Sequence, residues 1–281
     1  MTWQRMTIDE LAAFEKAVGT KVVNVNGVWW RETKPFFFRP LNIMEELQPN
    51  NRHYPKKSIL GGVQHRVQTG EPSNSVLNYF VFGDLNSYSI DNFNTKKKWE
   101  IRKGINNFSI RPVTDFEEYL NAGYEVYLSF YNRTKYKYKK DRIQKNRFGE
   151  WAEILFNFPK ILLLGAYQKE KLAAVSISYS INDSIHYTTF FPKTEALPLN
   201  VSDAMLHYMR ERAKDCENAK YIVWGMATGN KNIDRHKLYR GCELVPFSAY
   251  FQLNPLVLQY MKIFRVKDYQ RLLGKNSIVT T

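Results

Sequence analysis

Three strand-like segments follow one another closely in the second half of the chain. They cover residues 161–167, 171–180 and 184–191, and all three are rich in apolar and β-branched side chains. Three polar residues join the first segment to the second, and the turn pair Asn182-Asp183 joins the second to the third. Because links this short connect neighbouring antiparallel strands, the sequence predicts three consecutive antiparallel strands here.

Helices and strands alternate around these three strands. A helix over about residues 141–156 precedes them and ends before Pro159. After them the sequence predicts a helix N-capped by Ser202 and running to about residue 213, a strand at 221–224, a helix at 231–240, a strand at 242–253 and helical residues from 255 onward. This order is typical of a protein that mixes α and β structure.

The first 140 residues give weaker signals of the same kind. The predicted elements are strands at 22–30, 35–39 and 76–90, a loop-rich stretch at 48–75, a basic helix at 93–106, a short strand at 108–112 and a helix from the N-cap Asp115 to about residue 131. No internal repeat and no linker rich in Pro, Gly or Ser separates these elements.

The composition indicates a globular chain that can bury a core without disulfides or metals. The chain has 281 residues, of which 44% are hydrophobic and 24% charged, and this excludes a disordered protein. The two cysteines, Cys216 and Cys242, exclude a disulfide scaffold and a Cys-only zinc site. The five histidines show no His-x-x-x-His spacing, so no metal site is predicted.

The net charge of +14 favours binding partners that are negatively charged. A field this positive attracts nucleic acid, a phosphate-rich cofactor or an anionic membrane surface, and does not choose among them. Residues 1–10 hold no apolar signal-peptide region, and the longest apolar stretch, at 161–164, is far short of the about 20 residues that span a bilayer. We therefore expect a cytoplasmic protein, with peripheral attachment to the inner membrane surface left open.

Three motifs occur in a fixed order within residues 90–253. They are Lys97-Lys98-Trp99-Glu100-Ile101-Arg102-Lys103, Leu172-Ala173-Ala174-Val175 and His236-Lys237-Leu238-Tyr239-Arg240-Gly241. Together with the order of the elements they resemble the GNAT superfamily of N-acyltransferases, and within it the FemAB-like branch, which includes the peptidoglycan bridge-forming transferases. The last motif keeps the family's spacing of four from Lys to Gly, whereas both family aromatics have changed.

The resemblance implies a fold and a division of the chain. The fold class is α/β (α+β): a GNAT-like mixed, mostly antiparallel central sheet flanked by helices. Two GNAT-like halves are expected, a truncated N-terminal half at 1–110 and a C-terminal acyltransferase half at 111–281.

The same resemblance implies a place for the donor. The family's loop before its main helix corresponds to Leu199, Asn200, Val201, Ser202 and Asp203, which are expected to bind the polar end of an acyl-CoA such as acetyl-CoA. No glycine occurs between Gly165 and Gly225, however, so the glycines that let the backbone approach the pyrophosphate are missing. Asp203 also adds a negative charge in the first turn of the helix. Aminoacyl-tRNA is therefore an alternative donor.

Candidate catalytic residues follow from the third motif and the third strand. The resemblance makes Lys237 the donor contact and stabiliser of the oxyanion. Tyr239 is a second candidate, although it lies two residues before the glycine instead of four, which favours a packing role. An amine with a pKa of about 10.4 costs about 4.6 kcal/mol to deprotonate at pH 7. We therefore expect a general base, with His186 as first choice and Glu195 as second; a packed, hydrogen-bonded His186 is the alternative.

A basic run and a glycine pair supply candidate substrate contacts. Eight of the fifteen residues at 133–147 are basic, and Arg133, Lys135 and Tyr136 are expected to hold an anionic acceptor or the donor tail. The alternative is a solvated basic loop. His65 follows Gly61 and Gly62, which could bring the backbone close to a ligand or form a plain turn.

The sequence thus predicts an N-acyltransferase that moves an acyl group to the primary amine of a small molecule or an envelope precursor. One alternative is an aminoacyl-tRNA-dependent transferase acting on a cell-envelope precursor. The other is a non-catalytic protein that binds nucleic acid or a membrane surface on a decayed transferase fold. The sequence makes no prediction about the oligomeric state.

Overall fold

Helices flank a mixed, mostly antiparallel β-sheet, which confirms the predicted fold class. The structure is a computed structural model and describes residues 4–134, 139–216 and 218–275. In chain order the strands are β1 (Arg5–Met6), β2 (Val22–Val25), β3 (Val28–Lys34), β4 (Phe37–Pro40), β5 (Gly62–Arg66), β6 (Ser75–Phe82), β7 (Ser109–Pro112), β8 (Leu162–Gln168), β9 (Lys171–Ile181), β10 (Ser184–Pro192), β11 (Tyr221–Met226) and β12 (Glu243–Leu253). The helices are α1 (Ile8–Ala17), α2 (Thr95–Asn107), α3 (Phe116–Glu118), α4 (Tyr124–Thr134), α5 (Lys145–Phe156), α6 (Val201–Lys214), α7 (Lys231–Tyr239), α8 (Pro255–Phe264) and α9 (Val266–Leu272).

The chain forms two compact units. The first consists of Met1–Met6 and Gly83–Ile222, and the second of Thr7–Phe82 and Val223–Thr281. The boundary predicted at residue 110 lies inside the first unit, and the division into two GNAT-like halves stays a prediction.

The sheet of the first unit is built on the predicted run of three strands. β8, β9 and β10 pair antiparallel in sequence order, β7 pairs with the free side of β8, and β1 adds a short parallel pairing to β9. Lys169 and Glu170 form the tight turn between β8 and β9, with φ of 47° and 63°. Asn182 has a φ of 49° in the next turn, a left-handed conformation that asparagine adopts readily.

The sheet of the second unit has the strand order β2-β3-β4-β5-β12-β6-β11. The predicted strand at 22–30 is a hairpin, because Asn26 and Gly27 both have positive φ and turn the chain between β2 and β3. The predicted strand at 76–90 ends at Phe82. Strand β5 (Gly62–Arg66) lies inside the stretch 48–75 that the sequence predicted to be loop-rich, and it pairs in parallel with β4.

Aromatic rings fill the core of the first unit between the helices and the sheet. Tyr119, Tyr127, Phe148, Trp151 and Phe191 are all buried. The Tyr127 and Phe191 rings meet edge to face with 5.2 Å between their centroids, and the Tyr119 and Phe148 rings lie 5.4 Å apart. Such contacts bring helices α4 and α5 and strand β10 together in one core.

Two helix boundaries differ from the prediction. The expected N-cap Ser202 is already inside α6, and the cap is Asn200, whose φ of 61° turns the chain out of the preceding 3₁₀ segment Thr194–Leu199. The helix expected from Asp115 is interrupted by a π-helical turn at Tyr119–Gly123. Among the described residues, none of the helices has both the length and the apolar character needed to cross a bilayer.

We expect Gly123→Ala to destabilise the first unit. A Cβ at Gly123 would lie 2.5 Å from the ring of Tyr119, which is only 1% exposed and cannot move aside. Overpacking of this kind costs about 1–3 kcal/mol, measurable as a lower midpoint of urea unfolding.

Gly149→Ala is the matched control. A Cβ there meets only a methyl group of Leu120 at 3.3 Å, and alanine stabilises a helix by up to about 1 kcal/mol relative to glycine. Equal unfolding midpoints for the two variants would contradict the prediction that the Tyr119 ring leaves no room for a side chain at Gly123.

Candidate active site

Lys237 lies on α7, the helix that follows β11 in the second unit. Its side chain is largely buried, and its Nζ donates a hydrogen bond of 2.8 Å to the main-chain oxygen of Trp224. The ammonium also lies 4.8 Å from the centre of the Phe80 ring, within the range of a cation–π contact. In the described part of the chain no carboxylate lies within ion-pair distance of it.

Burial lowers the pKa of Lys237 below its usual value, because an ammonium loses its hydration there. Cys242 and then Asp234 oppose this effect through their negative charge when ionised. The Lys237 side chain therefore combines a fixed position with an amine that gives up its proton more easily than an exposed lysine. Both properties are typical of lysines at functional sites.

The loop that leads into α7 is fixed by Asp234. This carboxylate accepts hydrogen bonds from the main-chain N–H groups of Thr228 and Gly229, both at 3.0 Å, and from the Thr228 hydroxyl at 2.8 Å. Gly229 has a φ of 73°, which glycine adopts without strain. Asn230 then caps the helix through Asn232 N–H at 3.0 Å. These bonds hold the turn between Trp224 and Lys237 in one conformation.

The other candidates of the second unit have different surroundings. Tyr239 lies on α7 with 43% of its surface exposed. His65 is 1% exposed; its Nδ1 lies 2.7 Å from the Arg66 carbonyl oxygen and its Nε2 lies 2.9 Å from the Tyr54 hydroxyl. Burial lowers the pKa of His65. These contacts are those of a neutral histidine packed in the core beside Trp30.

His186 lies on β10 in the first unit and is buried. Its Nε2 lies 3.0 Å from the Ser184 hydroxyl, and its ring stacks on Tyr179 with 4.9 Å between centroids and 13° between planes. Tyr179 is its antiparallel partner across β9. These contacts match the packed, hydrogen-bonded histidine that the sequence left as the alternative to a general base.

The predicted donor segment forms the N-terminus of α6. Val201, Ser202 and Asp203 are buried, while Leu199 and Asn200 are partly exposed. Asp203 forms an ion pair of 2.5 Å with Lys97 of α2, and both side chains are less than 5% exposed. Lys97 also contacts Glu100 at 3.0 Å. The Asp203 carboxylate, expected to repel a phosphate, is thus compensated by a buried cation.

Helix α2 packs closely on this end of α6. A Cβ at Gly104 would lie 2.5 Å from the Asn200 carbonyl oxygen and 3.0 Å from the Ala204 nitrogen, so only glycine permits the approach. Lys103 adds a hydrogen bond of 3.0 Å to the Pro198 carbonyl oxygen. The first turn of α6 therefore faces another helix, which leaves little room for a pyrophosphate at the buried positions.

Arg133 is half-buried at the end of α4. Its Nη1 donates to the Pro192 carbonyl oxygen at 3.1 Å and to the Thr194 hydroxyl at 3.2 Å, and burial lowers its pKa. These bonds tie α4 to the end of β10. Lys135 and Tyr136, the other two candidates of the basic run, lie outside the described residues.

The structure places the predicted residues in two groups. Lys237, Tyr239 and His65 belong to the second unit, whereas His186, Arg133 and the segment 199–203 belong to the first.

Sequence reasoning missed Asp234 and the Trp224 carbonyl oxygen, which position the Lys237 loop and side chain. The Thr228-Gly229-Asn230 turn signal before α7 could have pointed to a capped loop. The sequence placed Lys97 only in a basic helix predicted at 93–106, and the structure buries its side chain.

The potential metal ligands are scattered. Within residues 4–134, 139–216 and 218–275, no group of three His, Cys, Asp or Glu side chains is arranged to hold a metal ion.

Comparisons with known proteins give structural matches. No protein-family model matches the sequence, and no curated protein matches it. FemX has a TM-score of 0.58 at 9% identity, over 90% of this chain and 93% of that chain. L-PGS from Bacillus licheniformis has a TM-score of 0.54 at 14% identity, over 98% and 99%. A conserved protein of unknown function from Bacteroides thetaiotaomicron has a TM-score of 0.52 at 12% identity, over 89% and 92%.

The chain has a FemAB-like fold of the GNAT type. The resemblance drawn from the sequence motifs is thereby confirmed at the level of the fold. Because these three structures are only 9–14% identical to this chain in sequence, they show the fold and not the reaction.

We expect Lys97→Met to destabilise the protein by about 3–5 kcal/mol, because it leaves the buried Asp203 carboxylate without its main counter-charge. Replacing both partners, as Lys97→Met with Asp203→Leu, should restore most of the lost stability. Chemical denaturation monitored by circular dichroism measures both effects.

Lys98→Met on the same helix is the control. Lys98 pairs at 3.4 Å with Asp91, a carboxylate that is 75% exposed, and such surface pairs contribute about 0–1 kcal/mol. If Lys97→Met lowered the free energy of unfolding no more than Lys98→Met does, the buried ion pair would not be the contact that holds α2 against α6.

Proposed function

We propose that this protein transfers an acyl or aminoacyl group from an activated donor to a primary amine. The observation that carries the proposal is Lys237: a buried ammonium, fixed on the Trp224 carbonyl oxygen and lacking a carboxylate partner in the described residues. The resemblance of the three sequence motifs to the GNAT superfamily of N-acyltransferases favours the same class of reaction, and the fold is compatible with it.

The chemistry needs a donor of positive charge next to the reacting carbonyl. The amine nitrogen attacks the carbonyl carbon, the carbonyl oxygen becomes an oxyanion, and the intermediate collapses by expelling the thiolate of CoA or the ribose oxygen of tRNA. Lys237 carries three N–H donors, and Trp224 uses one of them. We assign the others to the oxyanion, where a single such donor contributes about 2.7–4 kcal/mol to catalysis.

The attacking amine must also lose a proton. His186 is the proposed base; to take that proton, its Nε2 would have to exchange the hydrogen bond with the Ser184 hydroxyl for one with the amine. Tyr239 is the proposed acid toward the leaving group. Arg133, Lys135 and Tyr136 are assigned to the acceptor, the primary amine of a small molecule or an envelope precursor. His65, predicted from the sequence as a further contact, is instead part of the core, because its two ring nitrogens contact Tyr54 and the Arg66 carbonyl oxygen.

The donor has two candidates. Acyl-CoA, for which acetyl-CoA is the simplest probe, would place its polar end at Leu199 and Asn200, the partly exposed residues before α6. Aminoacyl-tRNA is the second candidate, favoured by the burial of Val201, Ser202 and Asp203 against α2. The basic run at 133–147 would suit the phosphates of either donor.

Calorimetric titration with CoA and acetyl-CoA at low and moderate salt separates the donors. Saturable binding that survives moderate salt supports the acyl-CoA donor. Binding of aminoacyl-tRNA that weakens steeply as the salt concentration rises, together with no binding of CoA, supports aminoacyl-tRNA as the donor. A protein that binds tRNA or anionic vesicles yet releases no product from any donor and amine would contradict the proposal in favour of a non-catalytic binding protein.

Lys237→Ala should lower turnover by more than about tenfold with the fold intact, because the oxyanion loses a donor. Lys231→Ala is the control, since Lys231 is exposed at the start of the same helix. Unchanged turnover in Lys237→Ala would remove Lys237 from the mechanism.

A pH profile tests the charge of Lys237. Because burial lowers its pKa, the ammonium is lost at a lower pH than in an exposed lysine, and kcat should fall as pH rises through that value. Lys237→Arg keeps the charge to a pH above about 12, so the fall should move to higher pH or disappear. The same falling limb in both proteins would assign it to another group.

A further inference from the structure

Gly225 lies beside the Lys237 ammonium near the end of β11. It directly follows Trp224, whose carbonyl oxygen accepts the hydrogen bond from Lys237. Its φ of 85° falls in the left-handed region, which favours glycine. Leaving out the chain neighbours of Gly225, a Cβ added there would meet one atom of the described residues within 4 Å, the Lys237 Nζ at 4.0 Å. The missing side chain at Gly225 therefore leaves open space next to the ammonium.

The aromatic rings around the Lys237 ammonium leave this side free. The Phe80 ring centre lies 4.8 Å from Nζ, yet no atom of Phe80 comes within 4 Å of the Cβ position at Gly225. The Trp224 ring centre lies 5.8 Å from Nζ, and this ring stacks on Phe82 with 5.8 Å between centroids. The ammonium thus has a fixed aromatic surround and an open side at Gly225.

The main chain on both sides of this space is held in place, and the space reaches the solvent. The Trp224 carbonyl oxygen is bonded to Lys237 before Gly225, and the Ala227 N–H donates to the Asn78 carbonyl oxygen at 2.8 Å after it. Gly225 itself is partly exposed. A small group can therefore approach the ammonium across the Cα of Gly225 without a movement of the chain.

The dimensions of the space suit a carbonyl group. A carbonyl oxygen that accepts a hydrogen bond of about 2.9 Å places its carbon about 4 Å from the donor nitrogen, because the C=O bond is about 1.2 Å long. A Cβ at Gly225 would lie at the same distance from the Lys237 Nζ. A side chain at position 225 and a substrate carbonyl would therefore compete for the same space.

We propose that Gly225 is a specificity-determining residue: the space above its Cα receives the carbonyl group of the acyl or aminoacyl donor, whose oxygen then meets the Lys237 ammonium. This inference rests on the proposed transfer reaction. It assigns the donor carbonyl a place within the second unit and makes the absence of a side chain at Gly225 a condition for turnover.

Gly225→Asn tests the proposal by filling the space. Asparagine adopts positive φ more readily than most residues, and its side-chain oxygen would accept the Lys237 hydrogen bond that the oxyanion needs. We expect kcat/KM to fall at least about tenfold for the donor that the wild type uses, acetyl-CoA or aminoacyl-tRNA.

Gly19→Asn is the matched control. Gly19 lies in the same unit with a φ of 83°, so asparagine meets a similar backbone conformation there, and a Cβ at Gly19 has no described atom within 4 Å. Its turnover should equal that of the wild type, and its melting temperature should match that of Gly225→Asn. Should Gly225→Asn fail to fold, Gly225→Ala takes its place with the same direction of change.

Reductive methylation measures access to Lys237 without any donor. Formaldehyde condenses with the free amine and releases water, and hydride from cyanoborohydride reduces the imine carbon to give a methylamine, which mass spectrometry locates. We expect Lys237 to be methylated at least about tenfold more slowly in Gly225→Asn than in Gly19→Asn. Lys231, exposed at the start of α7, is the internal standard and should react equally in both.

The outcomes separate the role of Gly225 from the transfer reaction. Loss of turnover together with slower methylation of Lys237, in Gly225→Asn alone, supports the proposal. Full turnover in Gly225→Asn, or equal methylation of Lys237 in the two variants, would overturn the role of Gly225 and leave the transfer reaction standing. A wild type that turns over no donor, although Gly225→Asn slows methylation, would overturn the transfer reaction and with it the place of the donor carbonyl.

Discussion

The buried ion pair between Lys97 and Asp203 is the interaction on which the arrangement of α2 and α6 depends. Both side chains are almost completely enclosed, so each charge is tolerable only because the other is present. Gly104 lets the two helices approach closely enough for the pair to form. The contact also decides the character of the α6 N-terminus, where a carboxylate and a neighbouring helix stand in the position that an incoming phosphate would need.

The second unit holds the buried cation Lys237 in a different way. Its ammonium contacts a main-chain oxygen and an aromatic ring. In the described residues no carboxylate lies within ion-pair distance of it. A charge left without a counter-charge inside a protein lowers its stability, so a position of this kind is typical of a group that meets a negative charge from outside the chain.

Much of the fold could be predicted because its signals are local. The three strands β8, β9 and β10 lie within a residue or two of the predicted ranges, and helices α5 and α7 lie within a few residues of theirs. Errors arose where backbone conformation was decided by tertiary contacts. Nothing in the sequence around Gly123 signals the π-helical turn, in which the Tyr119 ring fills the space beside the glycine. Likewise the cap of α6 is Asn200, whose left-handed conformation turns the chain out of the preceding 3₁₀ segment and into the helix.

For the candidate sites, too, some features followed from the sequence and others only from the tertiary structure. The sequence by itself determined the alternation of helices and strands, the FemAB-like resemblance and the choice of Lys237, since these rest on residue types at fixed spacings along the chain. Only the tertiary structure decided that Lys97 is buried on Asp203, that His65 and His186 are packed among aromatic rings, and that the Lys237 ammonium is held on the Trp224 carbonyl oxygen. The physical reason is that burial and charge pairing join residues far apart in sequence: Lys97 and Asp203 are separated by 106 positions. A local pattern records which side chains are charged, and the fold alone determines which of those charges meet.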